Sequence, residues 1–294
     1  MSRIAYVNGR YVAQREACVN VEDRGYQFAD GIYEVVCVAG GRLIDEALHL
    51  DRLERSMREL RLSPPMGRAA LRHVMRELVA RNRIADGLIY MQITRGVARR
   101  DHAFPATPVK PSLVLTARHT GPYPSDIDKW AAAAITQPDL RWARCDIKTV
   151  GLTANVLAKQ AARERGAVEA LLIDREGFLT EGASTTVWVV DANGKLRTRH
   201  LDHAVLPGCT RGALIAEMRA AGIGFEERRV SEAELRGACE IFLTSATSFV
   251  RPIVQLDGKP VADGKPGPLT RRLFDLFALH VRGLPNDAPA ARAA

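Results

Sequence analysis

Lysine is scarce in a chain otherwise well supplied with basic residues. Of 42 Lys and Arg in 294 residues only seven are lysines, Lys110, Lys129, Lys148, Lys159, Lys195, Lys259 and Lys265, so any amine chemistry has few candidates. Cysteine is sparse too. Cys18, Cys37, Cys145, Cys209 and Cys239 are scattered without a close pair, which argues against a zinc site or a disulfide framework and fits a reducing compartment. No uninterrupted apolar run approaches the ~20 residues of a membrane helix, and Met1 to Gly9 lacks a signal-peptide core, so a cytoplasmic location is expected. There is no glycine-rich dinucleotide fingerprint, P-loop, Gly-x-Ser-x-Gly elbow or His-Glu-x-x-His. His200 and His203 are the one close histidine pair and lack a third ligand, so no metal is expected.

What is present describes an ordinary globular chain. Apolar residues make up 47% and charged residues 26%, enough for one large or two medium domains with a sizeable core. The net charge of +8 comes from arginines spread along the chain rather than gathered into one tract with interleaved aromatics. A nucleic-acid partner is therefore not expected, and the basic balance suits steering of small anionic substrates.

Periodicity and turn signals give the organisation. A hairpin over Ile4–Val7 and Arg10–Ala13 turns at Asn8-Gly9. Asp23 to Asp30 reads as a polar, glycine-bearing loop running into a strand, with Tyr33 and Glu34 at its entrance. Helices are expected near 48–62 and 68–82, the first with Leu50, Leu53, Met57 and Leu60 on its apolar stripe and Arg52 and Arg55 off it. Strands follow near 88–94 and 112–117, and a Gly/Pro cluster at 119–125 marks a linker. Beyond it lie a strand at 130–135, a helix at 153–165 stopped by Gly166, strands at 170–173, 178–180 and 186–190, a helix opened by Pro207-Gly208-Cys209-Thr210, a capping box at Ser231 to Glu234, a strand at 240–243 and a helix at 269–281. The reading is a two-domain α/β (or α+β) chain: an N-terminal domain over 1–118, the linker 119–125, a C-terminal domain over 126–282 carrying Lys148, and a disordered tail from 283.

Lys148 stands apart from the other lysines because it ends a short alternating segment, Cys145 and Ile147, before an uncharged glycine-containing turn. Walled by apolar neighbours, such an amine serves as a nucleophile or base; the alternative is a lysine snorkelling from a strand end. Pro207-Gly208-Cys209-Thr210 at a helix start offers N–H groups and a hydroxyl to a phosphate, or is a plain cap. Ser245-Ala246-Thr247-Ser248 is a second small polar loop after a strand. Arg52, read at the start of its helix, is a candidate bidentate phosphate clamp. Glu181, among small hydroxyl residues, is either a turn glutamate or a carboxylate aimed at a ring nitrogen.

Taken in order, Arg24 to Glu34, Arg144 to Lys148, Val156 to Gln160, Thr180-Glu181-Gly182, Pro207 to Arg211 and Thr244 to Ser248 resemble the motifs of fold-type IV pyridoxal-phosphate aminotransferases, most nearly their D-amino-acid branch, over about Ile4 to Val281. The resemblance implies pyridoxal 5'-phosphate as cofactor, with Lys148 carrying it and then moving the proton between the substrate α-carbon and the cofactor. It implies that Glu181 pairs with the pyridine nitrogen, that Leu206 packs on the ring, and that Arg52, Thr210, Cys209, Ser245 and Ala246 hold the phosphate. Tyr33, with Arg100 and His102 from the neighbouring subunit of a homodimer, would bind the α-carboxylate of a D-amino acid, with 2-oxoglutarate or pyruvate as acceptor. The alternatives are branched-chain L-amino-acid or (R)-amine transamination on the same fold, an aminodeoxychorismate lyase, or a basic nucleic-acid-binding module. Three positions depart from the pattern: Ala29 where Gly is common, Ala246 in place of a hydroxyl residue, and Cys209 in place of an aliphatic one.

Overall fold

The computed structural model describes residues 3–284; the tail expected to be disordered lies, from 285 onward, outside them. The chain divides into two compact units, one running to Pro122 and including Ile147–Leu152, the other comprising Tyr123–Asp146 and the chain from Thr153 onward.

The first unit contains β1 (Ile4–Val7), β2 (Arg10–Ala13), α1 (Arg24–Phe28), β3 (Gly31–Ala39), β4 (Arg42–Leu43), α2 (Glu46–Glu59), α3 (Arg68–Asn82), β5 (Gly87–Thr94) and β6 (Ser112–His119). Its antiparallel sheet has the order β2-β1-β6-β5-β3-β4. The hairpin is as expected, with Asn8 and Gly9 both at positive φ. Strand alternation sends Ile32, Val36, Ile89, Met91, Ile93, Leu113 and Leu115 into one core with Leu50, Leu53 and Met57 of α2 and Leu71, Met75 and Leu78 of α3. Tyr33, Tyr90, Gln92 and Thr94 therefore line the opposite face, where Tyr33 and Tyr90 stack with centroids 5.7 Å apart.

The second unit contains α4 (Ile127–Trp130), β7 (Ala132–Pro138), α5 (Thr153–Glu164), β8 (Glu169–Ile173), β9 (Phe178–Gly182), β10 (Thr186–Val190), β11 (Leu196–Thr198), α6 (Cys209–Ala220), β12 (Glu226–Glu227), β13 (Val230–Ser231), α7 (Glu232–Arg236), β14 (Glu240–Ser245), β15 (Phe249–Leu256), β16 (Lys259–Pro260) and α8 (Pro268–Arg282). The sheet is mixed, ordered β12-β11-β10-β14-β15-β7-β8-β9-β13 with β16 beside β15. Its parallel β7–β8 pair is joined through α5, the crossover such a pair requires. Trp188 of β10 stacks on Phe242 of β14, centroids 5.6 Å apart, both fully buried. Ser231 and Glu234 form the expected capping box on α7.

Four expectations change. Residues 24–28 form a helical turn rather than a loop, because the Asp23 side chain caps it by accepting from the Gly25 N–H. Strand β15 lies in mid-sheet and was not expected; Pro252 within it and a register shift between Ile253 and Gln255 break its alternation. The segment Ile147–Leu152 belongs to the first unit, not to a C-terminal domain carrying Lys148. Ile147 lies in the first unit's core, and Lys148 sits outside any strand, beside an isolated bridge between Ile32 and Thr149. Arg52 is in the middle of α2 and buried, not at its start and off the stripe.

Candidate active site

Lys148 is held by its main chain against β3. Its carbonyl accepts from the Tyr33 N–H at 2.9 Å, and its own N–H donates to the Ser56 hydroxyl at 3.4 Å. Burial of Ile147 turns the next side chain the other way, so the Lys148 amine lies 4.3 Å from the Tyr33 ring centroid. It has no carboxylate partner among the described residues. Tyr33 and Lys148, which the sequence singled out separately, are thus neighbours.

Arg52 faces the helix side of the same sheet. Glu34 is the lone acid on the core-facing alternation of β3, and Arg52 donates to it twice, from Nε at 2.7 Å and Nη2 at 2.8 Å. His49 Nδ1 lies 2.8 Å from Glu34 Oε2. Burial raises the Glu34 carboxyl, but the charge and hydrogen bonds of Arg52 and the contact with His49 outweigh it and hold the pKa at about 2. The sequence does not reveal Glu34 as the partner of Arg52 and His49, although His49, Arg52 and Ser56 recur at helical spacing.

Arg100 and His102 are exposed, in a segment without regular structure. Both touch the ring of Phe28, Arg100 at 5.0 Å and the His102 ring at 5.4 Å between centroids.

In the second unit Glu181 stands near the end of β9, where Gly182 is required because a Cβ there would lie 2.2 Å from the Thr185 hydroxyl. Arg141, missed in the sequence, holds Glu181. Its Nη1 donates to Glu181 Oε1, its Nε and Nη2 donate to Asp139 at 2.9 and 2.7 Å, and Nη2 also reaches the Ala204 carbonyl at 3.0 Å. Burial works against the Arg141 charge, but Asp139 and Glu181 prevail and raise its pKa. Burial likewise raises Asp139, yet Arg141 and Thr180 bring it net below the usual range. The second Glu181 oxygen accepts from the Leu206 N–H at 3.1 Å, so Glu181 and Leu206 are brought together.

Cys209 and Thr210 begin α6, both buried, on an N-cap, Gly208, that supplies no side-chain cap. The Thr210 hydroxyl has no hydrogen-bond partner among the described residues. Ser245 ends β14, and its hydroxyl accepts from the N–H groups of Thr247 and Ser248 at 3.3 and 3.0 Å, which curls the turn carrying Ala246. The same hydroxyl meets that of Thr247 at 3.3 Å, where either oxygen can donate.

The model of the family described as amino-transferase class IV matches residues 31–256. This chain belongs to the class IV aminotransferases. It is 38% identical over 268 residues to the D-alanine aminotransferase of Bacillus licheniformis, covering 90% of this chain and 93% of that protein. It is 39% identical over 273 residues to the D-alanine aminotransferase of Listeria innocua, covering 92% and 93%. Among solved structures, a branched-chain amino acid aminotransferase from T.th. with pyridoxamine 5'-phosphate superposes with a TM-score of 0.86 at 25% identity, covering 96% of this chain and 95% of that one. The fold expected from the motifs is therefore the fold observed. For this class IV aminotransferase, no helix among the described residues is long and apolar enough to cross a membrane.

Proposed function

We propose that this aminotransferase uses pyridoxal 5'-phosphate to exchange the amino group between a D-amino acid and a 2-oxo acid, 2-oxoglutarate or pyruvate, in a ping-pong reaction, and works as a cytoplasmic homodimer. The observation that carries the reading is the Lys148 amine, half-buried over Tyr33 and paired with no carboxylate among the described residues. A lysine so placed is available as a nucleophile in a way that a salt-bridged one is not. The D-specific part is favoured by identity near two-fifths with D-alanine aminotransferases and by the Arg100-x-His102 spacing.

The residues present fit the cofactor. An α6 start with no side-chain cap and a Thr210 hydroxyl without a hydrogen-bond partner among the described residues suit a phosphate, and Glu181 suits a ring nitrogen. When bound, pyridoxal phosphate supplies an electron sink for charge developing on the substrate α-carbon. In this reading Lys148 would hold the cofactor through its amine and would take and return the substrate α-proton. Glu181, fixed by Arg141 and the Leu206 N–H, would keep a proton on the cofactor's ring nitrogen, and Leu206 would pack on its ring. Thr210, Ser245 and the amides at Cys209 and Ala246 would hold the phosphate with Arg52. Glu34, bonded along the Nε–Nη2 edge of Arg52, sets the direction in which that guanidinium faces. Tyr33, with Arg100 and His102 of the neighbouring subunit, would fix the α-carboxylate by charge-assisted bonds and so select the enantiomer.

The test is a panel of D-alanine, L-alanine, L-leucine and an (R)-arylalkylamine against both oxo acids. The reading expects D-alanine to lead. A preference for L-leucine or the amine replaces it with the branched-chain or amine alternative, and pyruvate released from aminodeoxychorismate without any acceptor replaces it with a lyase.

A further inference from the structure

The turn α1 is a motif to which the proposed function gives no task, yet it contains the buried Arg24, 2% exposed. Arg24 Nε donates to Asp30 Oδ2 at 2.8 Å. The other end of the guanidinium leaves the turn: Nη1 donates to the Asp101 carbonyl at 2.6 Å and Nη2 to the His102 carbonyl at 3.4 Å. Asp30 is fixed from the other side by Arg95, whose Nε and Nη2 donate to it at 2.7 and 2.9 Å. Phe28, the last residue of α1, lies under Arg24 at 4.8 Å and under Arg100 at 5.0 Å, and its ring meets that of His102.

The loop 100–104 has no strand or helix to set its shape. A buried cation that reads two adjacent carbonyls, between and beside the two side chains meant for a carboxylate, fixes the spacing of that fork. A displacement of about 1 Å in such a pair is enough to spoil substrate placement. We propose that Arg24, held by Asp30 and resting on Phe28, is the positioning residue of the Arg100–His102 loop and so sets how tightly the enzyme grips the α-carboxylate of its substrate. The inference rests on the carboxylate role proposed for Arg100 and His102.

The experiment compares the holoenzyme with its Arg24→Gln, Arg24→Lys and Phe28→Leu variants, following KM and kcat for D-alanine and, by calorimetry, the Kd of propionate, a carboxylate that cannot react. Arg24→Gln, which removes both carbonyl anchors of the loop, should raise KM and Kd on the order of tenfold. Its kcat should stay within about threefold, since the reacting groups are untouched. Arg24→Lys should recover part of the loss, and Phe28→Leu should shift KM and Kd the same way while leaving the Asp30 pair in place. If Arg24→Gln does not fold, Phe28→Leu decides. Unchanged KM and Kd in a folded variant, or a fall in kcat with KM and Kd held, overturns the proposal. A wild-type enzyme active on D-alanine beside such variants rejects the positioning role alone; a wild-type enzyme that transaminates no D-amino acid rejects the proposed function and this inference with it.

Discussion

Glu34 and Arg52 are locked together by two hydrogen bonds with the Glu34 side chain wholly out of solvent. The pair joins β3 to α2 across the first unit's core and fixes the orientation of the arginine assigned to the phosphate. Glu34→Gln leaves the guanidinium buried against a neutral amide, at a cost of roughly 3–5 kcal/mol. Urea unfolding should show that loss, and a titration should show weaker retention of pyridoxal phosphate.

The same pair predicts an acid limit. Its carboxyl is held at about 2 against an ordinary value of 4.5. A depressed folded-state pKa contributes stability that is complete above the unfolded value and is lost as pH falls through the folded one. Glu34 therefore contributes about 3 kcal/mol above about pH 4.5, which disappears toward pH 2. Unfolding free energy measured across that window should fall in the wild type and fall less in Glu34→Gln.

Arg141 should matter to turnover although it is not assigned to touch substrate. Arg141→Met removes the clamp on Glu181 and leaves Asp139 without its guanidinium. We expect kcat/KM to drop about a hundredfold, equivalent to nearly 3 kcal/mol, with Arg141→Lys recovering part. Wild-type kcat/KM in Arg141→Met would show that Glu181 needs no such support.

Ala29 closes α1 in the left-handed region, φ 55 and ψ 27. A Cβ there is strained by about 1 kcal/mol, which is why glycine suits the position. Ala29→Gly should stabilise the protein by up to about 1 kcal/mol in chemical denaturation, less the added flexibility of the unfolded chain.

Much of this was legible in the sequence because local signals agreed with the fold. The Asn8-Gly9 hairpin, helix α3 and the Ser231 capping box each have a signature carried by neighbouring residues. The site assignments rest on the motifs taken as a set, since Lys148, Glu181 or Thr210 alone has an ordinary explanation. What escaped reading was non-local. Arg52 reads as lying off the buried stripe because its partner Glu34 is on another element, although an acid in the register of Ile32 and Val36 is a warning. Arg141 drew no notice because the two acids it joins are apart in sequence, at 139 and 181. Strand β15 carries Pro252 and a register shift between Ile253 and Gln255, which mask its alternation.

The central claim is that Lys148 carries the cofactor, and its most direct measurement is borohydride reduction of the reconstituted enzyme followed by digestion and mass mapping. The account predicts a single cofactor-labelled peptide containing Lys148, and a Lys148→Ala variant that folds with the thermal midpoint of the cofactor-free wild type but takes no label and lacks the lysine-bound cofactor's absorbance. Label on any of the other six lysines, or a coloured and active Lys148→Ala protein, would contradict it.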